Sequence, residues 1–226
     1  MVQQGWEHCS VTSRRLLAAA FLCGLFGFSV VACSESTEKG AIPTEGASSQ
    51  IDRNDDVPQV VHPLDATPFL KHPCQLVDDK FLARFGDFEK GEPDVESSHA
   101  QKLIGPTCVW YGKEDFDRAV SVIIDTPHQK YAQPELRGLG GLYASKKSGS
   151  MDYLQPVQIP GHSDYPAVIA GKQDDMVENR ACVVYVGISD DLTINTSLDN
   201  ADSVKEACEV AQNVAAAVLD TLKQAD

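Results

Sequence analysis

Four cysteines, Cys74, Cys108, Cys182 and Cys208, follow a single apolar segment, and that order limits what the chain can fold into. They form no CxxC pair and no close cysteine–histidine spacing, so the pattern of a zinc site is missing and no metal is expected. Behind an export signal, the same four thiols imply two disulfides made in an oxidising compartment.

The signal lies upstream. Met1 to Arg15 is polar and ends in Arg14-Arg15. Its length, and Glu7 within it, leave the true start codon in question. Leu16 to Ala32 is an apolar run of 17 residues. That is short for a membrane span and long for the apolar region of a secretory leader. The residues that close it decide between the two. Val30, Val31, Ala32 and Cys33 form a lipobox, with an apolar pair, a small residue that fits a peptidase groove, and a thiol that accepts a diacylglycerol. Residues 1–32 are expected to be a lipoprotein signal peptide, and Cys33 the lipidated first residue of the mature chain. In an uncleaved anchor Cys33 is incidental. Ser13-Arg14-Arg15-Leu16-Leu17 bears a faint likeness to a twin-arginine signal. Either export route leaves the protein on the extracytoplasmic face of the cell membrane.

Residues 33–68 read as the lipidated cysteine and a tether. Ser34 to His62 is rich in Ser, Thr, Glu, Gly, Asp and Pro and poor in apolar side chains. Such a stretch buries too little surface to offset its ordering entropy, so a disordered tether is expected. About 30 residues of flexible coil reach roughly 30 Å. Val57, Val60, Val61 and Pro63 to Leu70 are the part expected to touch the domain. Before Cys33 the chain holds Arg14, Arg15 and Glu7; the remainder carries 17 basic and 32 acidic residues, a net charge of −15. An acidic surface repels phosphate backbones and anionic headgroups, so neither a nucleic-acid partner nor attachment through a basic patch is expected. The membrane partner is reached through the N-terminal lipid.

Residues 69–226 read as one domain. Leu76, Val77, Phe81, Leu82 and Phe85 fall near helical spacing behind Pro73, which predicts a short N-terminal helix. Asp87 to Gly105 reads as loop. Thr107–Tyr111 and Arg118–Asp125 are predicted strands, rich in β-branched and aromatic residues. Gly138, Gly140 and Gly141 interrupt the helical spacing of Leu136, Leu139, Leu142 and Tyr143, so Pro127–Ser150 reads as loop or short helix. These glycines lack the offsets of a phosphate-binding loop. Leu154–Ile159 and Tyr165–Ala170 are predicted strands joined by a turn at Pro160–Asp164. Ala181–Ser189 and Leu192–Leu198 form the clearest hairpin, turning at Asp190-Asp191. From Asp202 onward Val204, Ala207, Cys208, Ala211, Val214, Ala215, Val218, Leu219 and Leu222 trace one apolar helix face. The fold class expected is α+β, with a mostly antiparallel sheet of about six strands, an N-terminal and a C-terminal helix, and two disulfides. Trp110, two residues after Cys108, is expected in the core beside a disulfide.

Taken in order, Cys33, Pro73-Cys74-Gln75-Leu76-Val77, Cys108-Val109-Trp110, Ile159-Pro160-Gly161 with Pro166-Ala167-Val168, Cys182-Val183-Val184 and Cys208 in an Ala/Val-rich helix form a set. This set resembles the actinobacterial lipoprotein family called domain of unknown function 3558 (DUF3558), over about residues 70–224 plus the anchor. The resemblance implies a cell-envelope location, assigns no activity and carries over no catalytic residues. Asp87–Ser98 is a longer acidic insert than the family pattern has. Four cysteines allow three connectivities. Cys74–Cys108 and Cys182–Cys208 are favoured, because each joins sequence neighbours and ties a helix to a strand.

The chain has no GxSxG elbow and no SxxK motif. His62, His72, His99, His128 and His162 all fall in apparent loops without metal-ligand spacing, and read as surface residues. Asp174-Asp175 and Asp190-Asp191 read as solvated turn acids. Asn195-Thr196-Ser197 matches a glycosylation sequon of little meaning in a bacterial lipoprotein. No catalytic residue, metal or cofactor is expected. The expected function is a non-catalytic binding or sensing module for an envelope lipid, glycan or protein. The alternative is an envelope enzyme with an atypical site built on His128 or His162 and a nearby acid.

Overall fold

The computed structural model describes residues 56–225. The expected signal peptide, Val30, Val31, Ala32, Cys33 and most of the tether lie outside the described residues. In chain order the elements are α1 (Asp79–Leu82), β1 (Glu92–Asp94), β2 (Thr107–Tyr111), β3 (Ala119–Ile124), α2 (Thr126–Gln129), α3 (Gly138–Ser148), β4 (Tyr153–Ile159), β5 (His162–Gly171), α4 (Gln173–Glu178), β6 (Cys182–Ser189), β7 (Leu192–Asp199) and α5 (Val204–Ala225). Short 3-10 turns lie at Thr67–Phe69, Pro73–Leu76 and Pro134–Leu136, and a π-turn at Ala100–Ile104. Among the described residues seven strands form one sheet in the order β1-β2-β3-β7-β6-β5-β4. Every neighbouring pair is antiparallel.

The α+β class is the expected one, with one strand more. The extra strand is β1, Glu-Pro-Asp, which carries no β-forming signal. It forms because β2 offers a free edge, with Glu92 opposite Val109 and Asp94 opposite Thr107. A proline and two acids on a three-residue strand are what an outermost strand tolerates.

Helix α5 covers one sheet face. Ala207, Val210, Ala211, Val214, Ala215, Val218, Leu219 and Leu222 are buried along it. They meet Val184, Val186 and Ile188 of β6, Ile194 and Leu198 of β7, and Val120, Val122 and Ile124 of β3 in one core. Each fully buried Val or Leu contributes about 1.5–3 kcal/mol. The alanines let the helix lie close to the sheet. Thr196 Oγ1 donates to the Ala211 carbonyl at 2.8 Å across that contact. At the start of the helix Ser203 Oγ accepts from the Glu206 N–H at 3.2 Å. The Glu206 carboxylate also takes the Arg118 guanidinium at 2.7 Å, tying the helix to the start of β3.

Both disulfides have the expected partners. Cys74–Cys108 joins the Pro73–Leu76 turn to β2, and Cys182–Cys208 joins β6 to α5. Trp110 is fully buried next to the first, and its indole N–H donates to Asp79 Oδ1 at 2.8 Å. Gly91 closes this corner. A Cβ there would sit 2.6 Å from Trp110 Nε1 and 2.7 Å from Cys108 Sγ, so only glycine fits.

Three expectations differ in detail. The helix expected over Leu76–Phe85 is a 3-10 turn ending at Leu76 followed by the single turn α1. Asp78 separates them, because its carboxylate caps α1 by accepting the Lys80 N–H at 2.9 Å. Asp87–Gly105 is not all loop, since it holds β1 and the π-turn. The glycine cluster does not break α3. It permits it, because a Cβ at Gly140 would lie 2.5 Å from the Glu135 carbonyl oxygen and one at Gly141 2.6 Å from that of Leu136. The helix therefore folds back tightly on the preceding turn and buries Leu139.

Packing against the sheet starts before residue 69. Val60 and Ala66 are buried, and the Leu64 N–H donates to the Ile188 carbonyl at 2.8 Å.

The disulfides close loops of 34 and 26 residues in sequence separation. Loop-closure entropy assigns each about 3.5–4 kcal/mol. We expect urea denaturation of a Cys182→Ala/Cys208→Ala double variant to show a loss of about 3.5 kcal/mol. Non-reducing peptide mapping of the native protein is expected to yield the two pairs above and no peptide linking Cys74 to Cys182 or Cys208.

Candidate functional site

Strand β7 is the middle strand of the sheet, and its residues alternate in character. Leu192, Ile194, Thr196 and Leu198 face α5. Thr193, Asn195, Ser197 and Asp199 therefore face the other way. They make a polar stripe about 20 Å long down the centre of the sheet. It is well enclosed, with Thr193, Asn195 and Ser197 only 1%, 8% and 6% exposed.

That second face is covered on one side only. Leu139 of α3 packs on Val168 and Ala170 of β5, with Leu142, Tyr143, Leu154 and Tyr185 around it. Helix α2 lies near the start of β7. Over β2 and β3 the same face carries Val109, Ala119, Ser121 and Ile123, all half-buried, and the exposed Tyr111. The cross-strand register sets these in rows. Ile123, Asn195 and Tyr185 lie side by side, as do Ser121, Ser197 and Val183. Tyr111, Ala119 and Asp199 form the end row.

Most of the stripe is satisfied internally. The Ser121 and Ser197 hydroxyls are 2.8 Å apart, and Ser197 Oγ lies 3.2 Å from Asp199 Oδ2. Thr193 Oγ1 donates to Asp125 Oδ2 at 3.3 Å, and the Asp125 N–H donates to the Thr193 carbonyl at 3.1 Å. Asp125 also bonds His128 Nδ1, and the His128 ring meets Tyr131 edge-on. Asn195 is the exception. Its Oδ1 is buried without a hydrogen-bond partner. An orphaned buried acceptor costs about 1–3 kcal/mol.

Charge at this face is negative. Burial pushes the Asp125 carboxyl up, against the opposing hydrogen bond and charge of His128 and the bond from Thr193. Burial, and then the charge of Asp125, push the Tyr185 hydroxyl up. Burial raises Asp199 against the bond from Ser197. No lysine or arginine occupies a face position of β2, β3, β6 or β7 on this side.

Histidine and carboxylate do converge here, as an enzyme would need. The order of contacts is not that of a nucleophile–base pair, because the Thr193 hydroxyl donates to the carboxylate and not to the imidazole. His162 differs from its expected surface position. The Pro160-Gly161 turn is tight, Ile159 pairs with His162, and β5 begins there, placing the ring under α5 at 5% exposure. Its Nε2 lies 3.1 Å from Asp220 Oδ1, while Nδ1 is buried without a partner. His62, His72 and His99 are exposed.

The acid pairs act structurally or face water. Asp190 accepts the Val60 N–H at 3.3 Å, and Asp191 accepts Ser189 Oγ at 2.7 Å. Asp174 and Asp175 lie exposed in the first turn of α4. Asn195 of the sequon is enclosed in the middle strand. A depression of about 650 Å³ runs beside Cys74, lined by His72, Asp78, Asp79, Lys90 and Glu92. Its acids Asp78 and Asp79 already cap α1 and hold Trp110. Among the described residues no group of three or more His, Cys, Asp and Glu could hold a metal. The alternation of Thr193, Asn195, Ser197 and Asp199 was the sequence signal for the stripe. Which of the two faces it occupied depended on the side taken by α5.

The raised pKa of Asp125 fixes a sign. A carboxyl whose folded-state pKa lies above 3.8 contributes stability that is full below pH 3.8 and lost as pH rises through the raised value. Carbon-detected NMR should show Asp125 titrating above 3.8. His128→Ala should raise it further, since the contacts of His128 act downward. In urea denaturation Asp125→Asn should flatten the decline of stability across that window. A fall of the pKa in His128→Ala would contradict the assignment.

Neither a curated protein nor a solved structure matches the chain. The family model described as "Protein of unknown function (DUF3558)" matches residues 28–221, which spans both disulfides, the whole sheet and most of α5. The chain is a member of the DUF3558 family.

Proposed function

We propose that the protein is a cell-envelope lipoprotein whose folded domain is a non-catalytic binding module on the extracytoplasmic face of the cell membrane. The address rests on sequence. Val30-Val31-Ala32-Cys33 closes an apolar run, and the family match begins at residue 28, ahead of that motif. Two disulfides suit an oxidising compartment. The acidic balance gives the domain no attraction to anionic headgroups, so the acyl chains on Cys33 do the holding, and two or more suffice.

The binding reading is carried by one observation. The sheet face opposite α5 is covered only in part, and its uncovered half carries the half-buried Val109, Ile123 and Val183 with the exposed Tyr111 at the rim. An exposed tyrosine beside apolar side chains on a half-open face fits a surface completed by a ligand. The Asp125–His128 pair favours a second reading, an enzyme using His128 as base. Against it, the neighbouring hydroxyl, Thr193 Oγ1, donates to the Asp125 carboxylate and not to His128.

Cys33→Ser should release the domain from membranes or leave an unprocessed precursor, read by fractionation and intact mass. Cleavage after Ala32 with unchanged membrane retention would overturn the lipobox assignment. Native extraction of the full chain, with mass spectrometry of what travels with it, tests the binding role. Recovery of a stoichiometric ligand, lost in Tyr111→Ala, is the expected result. Turnover of that ligand, abolished by His128→Gln, would favour the enzyme.

A further inference from the structure

We infer that the turn between β2 and β3 is a docking knob for a partner protein, one that offers Phe116 an apolar pocket rimmed by lysine or arginine. This goes beyond the proposed reading of the sheet face and rests on different residues.

The turn is built to hold one shape. The Gly112 N–H donates to the Arg118 carbonyl at 2.8 Å, and the Arg118 N–H donates to the Asp115 carbonyl at 3.1 Å. Asp115 Oδ1 accepts the Asp117 N–H at 3.2 Å. A Cβ at Gly112 would lie 2.5 Å from the Asp115 carbonyl oxygen, so the loop closes this tightly only over glycine. Two neighbouring segments brace it. On one side the Lys113 N–H donates to the Asp87 carbonyl at 3.0 Å. On the other, Asn200 Nδ2 donates to the Asp117 carbonyl at 2.8 Å. Asn200 does so from φ 53°, a left-handed conformation that few residues other than glycine adopt.

Within this frame Phe116 is 68% exposed, and it belongs to neither buried cluster among the described residues. The turn does not need the ring either. Phe116 holds the first central position of the Asp115–Arg118 turn, where most residues are tolerated. Single exposed apolar residues are ordinary on a protein surface. A phenyl ring at the tip of a braced turn differs, because its backbone has little freedom left to lose on binding. Aromatic anchors presented in this way concentrate the binding energy of protein interfaces.

Charge names the partner. Glu114, Asp115 and Asp117 stand exposed around the ring. The two cations of the turn are already engaged, Lys113 with Asp87 and Arg118 with Glu206, each at 2.7 Å. The carboxylates beside Phe116 therefore keep their charge for a basic rim on the receiving surface. A second copy of this acidic chain would meet them with like charge. A membrane is the other apolar refuge for an exposed ring, but carboxylates on both sides of Phe116 would have to leave water with it.

The test places p-benzoylphenylalanine at position 116 of the full chain in its own cells, followed by light-driven crosslinking. The control carries the same group at Val177, which is 62% exposed. We expect a protein adduct at position 116 and none at 177. The captured protein is then purified and titrated against the full chain in detergent. Its affinity should fall roughly tenfold or more in Phe116→Ser, as at a hot spot. Association should slow in Glu114→Lys and with added salt. Phe116→Ser should unfold at the wild-type temperature, since the ring packs in neither cluster; if it unfolds earlier, Glu114→Lys carries the test.

An adduct with lipid or with a second copy of the chain, or no adduct beyond the control, overturns the inference. So does a captured protein that binds Phe116→Ser as tightly as the wild type, or one whose association is unmoved by Glu114→Lys and by salt.

Discussion

The contact between α5 and the sheet carries the rest of the fold. A helix of 22 residues lays eight buried side chains across strands that meet from distant parts of the sequence. β3 and β7 are neighbours in the sheet, yet three helices and three other strands separate them in the chain. Bringing them together costs loop-closure entropy that only non-local burial can offset. The alanines at 207, 211 and 215 make that burial possible, because larger residues would hold the helix away from Thr196 and Leu198. Cys182–Cys208 then fixes the start of β6 to this helix, and Arg118–Glu206 fixes β3 to its first turn. The seam is held by packing along its length and by a covalent bond and an ion pair towards its start.

The same contact explains why the sheet has two unlike faces. A helix that lies on β6 and β7, with the Pro73–Leu76 turn packed on β3, consumes the apolar residues at alternate positions of those strands. What remains on the other side is the set the core did not need: Thr193, Asn195, Ser197, Asp199, Ser121 and Asp125. On a strand at the rim such residues would meet water. On the middle strand they are enclosed by neighbours on both sides and must find partners within the sheet. Serine pairs with serine, threonine with Asp125, and Asp125 with His128.

Much of the fold was legible in the sequence, and the reasons are local. β2, β3, β6 and β7 are runs of β-branched residues between turn signals, and α5 has an uninterrupted apolar face. The disulfide partners followed from nearness in sequence. β1 was not legible, since Glu-Pro-Asp becomes a strand only because β2 has a free edge. The N-terminal helix was read as longer than it is, because the apolar spacing of Leu76 to Phe85 continues through Asp78, where the cap restarts the helix. α3 was obscured by its glycines, whose use is to let a helix approach the turn before it. His162 was misplaced for a similar reason. A two-residue turn looks like a longer loop until the pairing of Ile159 with His162 is known. The stripe lay in plain alternation along β7, but its partner residues Asp125 and His128 are about 70 positions away and reach it only through the β3–β7 pairing.

Stability and recognition are thus divided between the two faces. Each face carries one unpaired group, His162 Nδ1 under α5 and Asn195 Oδ1 opposite. The packing of α5 and the disulfides fix the strands, so the fold tolerates both. An unpaired acceptor costing about 1–3 kcal/mol is a sizeable fraction of the 5–15 kcal/mol of net stability usual for a domain. Replacing Asn195 with an apolar residue would recover that loss, and the half-buried Ile123 beside it shows that an apolar neighbour fits the row.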